Sequence, residues 1–258
     1  MRIRPFLFII LAGLVTLLSF PLLSSAKEET DFERELSSLT NKIRTYSLRI
    51  KSLEQLASSF PDKTFPVLVS ILKDPQDAAP LRYLAAQKLG EINPAKAKKT
   101  FLQILDNRME DPFARKASLA ELVQLDENYH KQRIRDFMDD KTEDAAIRQY
   151  ALAIYSHWKE PGGMEKLRKF VKSKQETLSM RTNALFLLES LEDKEFVRFQ
   201  VRQILKDKNE PEELRKNCVM IAVRLKDPDI LLILTQLAQD PEEPLRLREL
   251  VKATAAAS

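Results

Sequence analysis

Leu81-Arg82-Tyr83-Leu84-Ala85-Ala86-Gln87-Lys88-Leu89-Gly90-Glu91-Ile92 sets the pattern of this chain, because its arginine returns at a fixed interval. Arginines follow at Arg115, Arg148, Arg181 and Arg215, at intervals of 33, 33, 33 and 34 residues, and Arg49 stands 33 residues upstream. A period of this size means stacked repeats. Three residues after each arginine the side chain is small: Ser52, Ala85, Ser118, Ala151, Ala184 and Cys218. Four after it come Leu53, Ala86, Leu119, Leu152, Leu185 and Val219, and seven after it Leu56, Leu89, Leu122, Tyr155, Leu188 and Ala222. Offsets of three, four and seven form one helical face, and the small residue leaves room for a crossing helix.

A second helix precedes each arginine. Apolar residues recur fourteen, eleven and ten positions upstream, as in Leu68, Ile71 and Leu72 or Phe101, Ile104 and Leu105. Each unit is therefore a pair, helix A and then helix B, and neither helix can bury its stripe alone. Stacking neighbours into a shared core resolves this.

The arginine, the small residue at plus three, the apolar residues at plus four and plus seven and the Leu89-Gly90 pair resemble the HEAT-repeat superfamily, an armadillo-type fold. The resemblance is to its short bacterial HEAT-like form, first recognised in phycobilisome lyase subunits. It covers roughly residues 45 to 250 and implies an all-α fold, a right-handed α-α superhelix of about six to seven helical pairs. In that superfamily the B helices line the inner surface. Tetratricopeptide and ankyrin repeats share the period, but their signature columns are missing, and four glycines in 258 residues are too few for ankyrin turns.

Residues 1–26 read as an export signal. Arg2 and Arg4 precede the apolar run Phe6 to Leu23, and Ser24-Ser25-Ala26 supplies small residues at the cleavage position. This predicts a periplasmic or secreted protein, with anchoring in the membrane by residues 6–23 as the alternative. The remainder, 27–258, is expected to be a single solenoid domain: an N-terminal cap over 31–60, regular repeats over 61–245 and a C-terminal cap helix over 246–258. The last loop reads as two residues shorter than the others, with Asp240 six residues before Arg246. Pro61, Pro94, Pro161 and Pro228 mark the steps from helix B to the next helix A.

An acid stands five residues before most of the repeat arginines, at Asp77, Glu110, Glu143, Glu176 and Glu210. Such an acid can cap helix B and favour the positive end of its dipole. It can also meet an arginine of its own or an adjacent unit. Arg82, Arg115, Arg148, Arg181 and Arg215 are accordingly read as structural; the other reading is a row that binds anions.

The chemistry-bearing residues are sparse. Four glycines form no phosphate-binding loop. His130 and His157 are the only histidines, and neither belongs to the His-Glu pairs that bind metal in HEAT-repeat deoxyhypusine hydroxylases. No catalytic residue, cofactor site or metal site is expected. Cys218 falls in the small-residue column of helix B, as a buried thiol. Without residues 1–26 the chain carries 40 basic against 38 acidic residues, interspersed along the helices, and this near balance argues against a nucleic-acid partner. The bilin lyases that share the repeat subtype work in the cytoplasm, which an export signal contradicts.

The chain is therefore read as a non-enzymatic scaffold that binds a peptide or protein along the B helices. Tyr150, Asn183, Phe186, Asn217 and Met220, at offsets two and five from their arginines, are the candidate partner-binding residues. For Tyr150 and Phe186 packing between repeats is an equal alternative. A membrane-anchored structural envelope protein and a lyase-like enzyme are the other readings.

Overall fold

Every helix A in this chain ends in a short five-residue loop and every helix B begins after it, so the repeat is built from one hairpin geometry. The computed structural model describes residues 27–158 and 162–256. Residues 1–26, read from the sequence as an export signal, Pro161 and the final Ala257-Ser258 lie outside the described residues. Among the described residues there are fourteen helices and no strand. Helix α1 covers residues 27–40, followed by α2 (Tyr46–Ser59), α3 (Pro61–Lys73), α4 (Ala79–Ile92), α5 (Pro94–Asp106) and α6 (Pro112–Leu125). Then come α7 (Glu127–Asp139), α8 (Ala145–His157), α9 (Gly163–Lys172), α10 (Leu178–Ser190), α11 (Lys194–Lys206), α12 (Glu212–Leu225), α13 (Pro228–Gln239) and α14 (Leu245–Ala256). Odd-numbered helices are A and even-numbered ones B.

The chain gathers into two compact units, one ending at Glu127 and the other beginning at Asn128. The boundary falls after the first residue of α7, so the pairs α5–α6 and α7–α8 belong to different units. Within the first unit α3 packs on α4 and α5 on α6, and the B helices α2, α4 and α6 pack in sequence. Within the second, α9 packs on α10, α11 on α12 and α13 on α14, with α8, α10, α12 and α14 forming the B layer. This is an α-α solenoid architecture in each unit. The core is the pair of stripes read from the sequence: Leu68, Leu72, Leu81 and Leu89 in one pair, Val201, Leu205, Val219 and Ala222 in another, all buried. Each such leucine contributes about 1.5–3 kcal/mol on burial. The plus-three column is fully enclosed, with Ala85, Ser118, Ala151, Ala184 and Cys218 at 0% exposure.

Pro61, Pro94 and Pro228 each occupy the first position of a helix A, where the missing N–H costs nothing. In the first pair the second helix starts at Tyr46, later than the apolar Ile43 suggests; Ile43 sits in the loop, 95% exposed.

The repeat arginines are enclosed and each holds two elements together. Their Nε groups donate to the carbonyl ten residues earlier, near the end of their own helix A: Arg49 to Leu39, Arg82 to Leu72, Arg115 to Leu105, Arg148 to Met138, Arg181 to Val171 and Arg215 to Leu205. Those carbonyls lie in the last turn, where no intrahelical donor remains. For Arg49, Arg148, Arg181 and Arg215 the outer guanidinium nitrogens reach forward to an acid of the next pair. Arg49 meets Asp77 at 2.7 and 2.6 Å, Arg181 meets Glu210 at 2.6 and 2.9 Å, and Arg215 meets Glu243 at 2.6 and 2.8 Å. Arg148 reaches Glu176 at 2.9 Å. This burial removes the anion-binding alternative for these side chains.

Two details correct the sequence reading. The last loop is not shortened: the turn between α13 and α14 repeats that between α11 and α12, with the Asp240 carboxylate accepting from Glu242 N–H as Asp207 accepts from Asn209. Arg248, 33 residues after Arg215, holds the arginine column there, and Glu243 holds the acid column. The helix caps also fall one residue later than the acid column, at Asp111, Asp144 and Thr177, whose side chains accept from the first turn of α6, α8 and α10. In the third pair Glu110 is drawn to Lys73 at 2.7 Å, and Arg82 pairs with Asp111 instead.

Replacing Arg215 by methionine leaves the Glu243 side chain, 2% exposed, without its cation. The expected cost in urea unfolding is about 3–5 kcal/mol, most of it recovered by the double change Arg215→Met/Glu243→Leu. A single-variant cost below about 1 kcal/mol would show that the pair is not structural.

Candidate functional site

On the face of the B helices turned away from the core stripe, the second unit carries a groove of 540 Å³. Gln149 enters it from α8, Ser179, Thr182, Asn183 and Phe186 from α10, and Asn217 from α12. Helical spacing explains the set: offsets of minus two, plus one or two and plus five from each arginine fall on one stripe. The Asn183 side chain donates to the Gln149 carbonyl at 3.2 Å, so it ties α10 to α8 as well as lining the groove. The Thr182 hydroxyl is enclosed without a hydrogen-bond partner. Phe186 is half-buried, and the Arg224 guanidinium lies 5.7 Å from its ring, held by Glu189 at 2.8 and 2.6 Å.

Of the five residues named from the sequence, the structure brings Asn183, Phe186 and Asn217 together. Tyr150 is half-buried and does not line the groove; Met220 is 45% exposed and lies outside it. Gln149, Ser179 and Thr182 were missed because only offsets two and five were followed, although the same 3.6-residue period also selects their positions. Amides, hydroxyls and one aromatic wall suit hydrogen bonding to an extended backbone with an apolar side chain beside it.

The first unit has a groove at the corresponding place, 830 Å³ in volume, between Tyr46 and Ile50 of α2, Tyr83 and Leu84 of α4, and Glu121 of α6. The Glu121 carboxylate lies against Gly90, where an added Cβ would stand 3.5 Å from its oxygen. Burial, and then the nearby Glu91 carboxylate, push the Glu121 carboxyl above its ordinary value.

Cys218 is enclosed, and burial pushes its thiol up to about 12, so it stays protonated and inert. Among the described residues no three His, Cys, Asp or Glu side chains come together as a metal site. Nor is any described helix long and apolar enough to cross a membrane.

No family model matches the chain, and no curated protein matches it. Solved structures do. One is human deoxyhypusine hydroxylase in complex with glycerol, 17% identical, covering 91% of this chain and 98% of the other, with a TM-score of 0.39. Another is a chain from the structure of Kap95p with RanGDP, 12% identical, covering 87% of this chain and 32% of the other, with a TM-score of 0.51. The chain thus has the fold of helical-repeat solenoid proteins. The expectation that it is not an enzyme is corrected by the first of these findings, since an enzyme stands among the structures it matches. At that identity and TM-score the likeness hands no activity or residue to this chain.

A glutamate whose folded-state value is raised binds its proton more tightly when folded, so its ionised form weighs against folding above the ordinary glutamate range and not below it. Glu121→Gln is therefore expected to raise the thermal midpoint at pH 7 and to leave it unchanged below about pH 4. A lowered midpoint at pH 7 would reveal a favourable partner for the carboxylate.

Proposed function

We propose that this chain is an exported interaction scaffold, built from short bacterial HEAT-like repeats, that takes an extended peptide or protein segment on its B helices. The observation that carries the reading is the convergence of Asn183, Phe186 and Asn217 on the 540 Å³ groove of the second unit. Its amides can bond a strand-like backbone, while Phe186, steadied by Arg224, offers an apolar contact. Export rests on residues 1–26 and places the partner in the periplasm or outside the cell.

A photo-crosslinking side chain at Phe186, tested in the native envelope, is expected to trap a discrete partner, with Phe199 on α11, 55% exposed, as the control position. Replacing Asn183, Asn217 and Phe186 by alanine should reduce capture from a crosslinker at Met220 at least about tenfold, with helical content retained. Undiminished capture would remove this face from consideration. The mass of the exported protein tests the cleavage after Ala26.

A further inference from the structure

The groove of the first unit differs in chemistry from that of the second. Its floor is apolar and aromatic: Tyr46 is 43% and Tyr83 37% exposed, with Ile50 and Leu84 half-buried between them. Tyr83 is braced from behind by Phe113, their ring centres 4.5 Å apart, so its exposed face is held in place rather than free to fold away. The rim is acidic. Glu54 of α2 and Glu121 of α6 line the groove, and among the described residues neither has a hydrogen-bond or ion-pair partner. Glu54 also borders an adjoining hollow shared with Glu91 and Lys88. Lys88 is the cation at that edge, and Glu91 already holds it at 2.5 Å. Many acids elsewhere in the chain are matched: Asp77 by Arg49, Glu110 by Lys73, Asp193 by Arg168. What sets Glu54 and Glu121 apart is their place: two carboxylates without a partner among the described residues border one groove floored by exposed tyrosines.

We propose that this groove docks a cationic amphipathic polypeptide segment, in which lysine or arginine side chains meet Glu54 and Glu121 while neighbouring apolar side chains cover Tyr46, Ile50, Tyr83 and Leu84. Charge complementarity selects this occupant. Phosphate-bearing partners, whether nucleic acid or an anionic lipid surface, meet repulsion at the rim. A purely apolar segment would leave Glu121 half-buried with no counter-ion, a cost that an incoming ammonium or guanidinium removes. The tyrosine faces add attraction for the same cations. A groove of 830 Å³ accommodates several side chains of such a segment. The inference rests on the reading of the B helices as docking surfaces, but on a different unit and on different chemistry.

The test uses the full chain and a fluorescently labelled short peptide of alternating lysine and leucine pairs, read by anisotropy. Binding is expected for the unaltered protein and for the Asn183/Phe186/Asn217 alanine variant alike. It should weaken at least about tenfold in Glu54→Gln/Glu121→Gln and fall as salt rises from about 0.05 to about 0.5 M. The counterpart with glutamate for lysine, and that with serine for leucine, should bind at least about tenfold more weakly. Both Gln substitutions leave the core untouched, so circular dichroism should be unchanged. Absence of binding, equal binding by the double Gln variant, or equal binding of either counterpart peptide overturns the proposal. So does a dimer that dissociates in the double Gln variant, which would give the groove to a second copy. Loss of binding in the alanine variant alone would move the peptide to the second unit, overturning this proposal and leaving the scaffold reading standing.

Discussion

A buried guanidinium that must find partners for all of its donors is the constraint on which this architecture turns. Each repeat arginine sits at 2–5% exposure, where an unsatisfied charge would be costly. Its Nε closes the C-terminal end of helix A in its own pair, and in the pairs described the outer nitrogens hold a carboxylate of the next. One side chain therefore fixes both the hairpin angle within a module and the step to its neighbour. Apolar stripes could slide by a helical turn and still bury oil. A bidentate pair cannot, and it sets the register of the stack.

That constraint explains what was legible in the sequence. The arginine column, the small residue three places on and the apolar stripes are all local, periodic and mutually consistent, so helices and core could be read from spacing. The acid partner was less legible. Five residues before the next arginine it could equally have been a cap, and only the structure separates the two duties: Glu176 pairs while Thr177 caps. The final module was misread because Arg246 offered itself as the column member. The hydrogen-bonded turn at Asp240 restores the count to Arg248.

The surface was less legible still. Asn183 looked like a groove residue and is one, yet the same amide also bonds the preceding helix. A residue at a repeat boundary can serve both roles, and no spacing distinguishes them. The first unit's groove was legible in part: Leu84 and Gln87, at offsets two and five from Arg82, do line it. Its tyrosines, Tyr46 and Tyr83, come from offsets minus three and plus one, and Glu121 lies six residues beyond its arginine. Only packing of three B helices side by side brings these positions together.

Asp111 carries two duties on one atom. Its Oδ2 accepts the Ala114 N–H at the head of α6 and also takes Arg82, whereas the α10 junction divides that work between Thr177 and Glu176. The division gives α10 redundancy: losing either side chain spares the other's contact. At Asp111 there is no spare, so lengthening it by one methylene or removing its charge would release a helix start and an inter-module tie together. That junction concentrates in one side chain what α8 and α10 leave partly to a separate capping residue, Asp144 or Thr177.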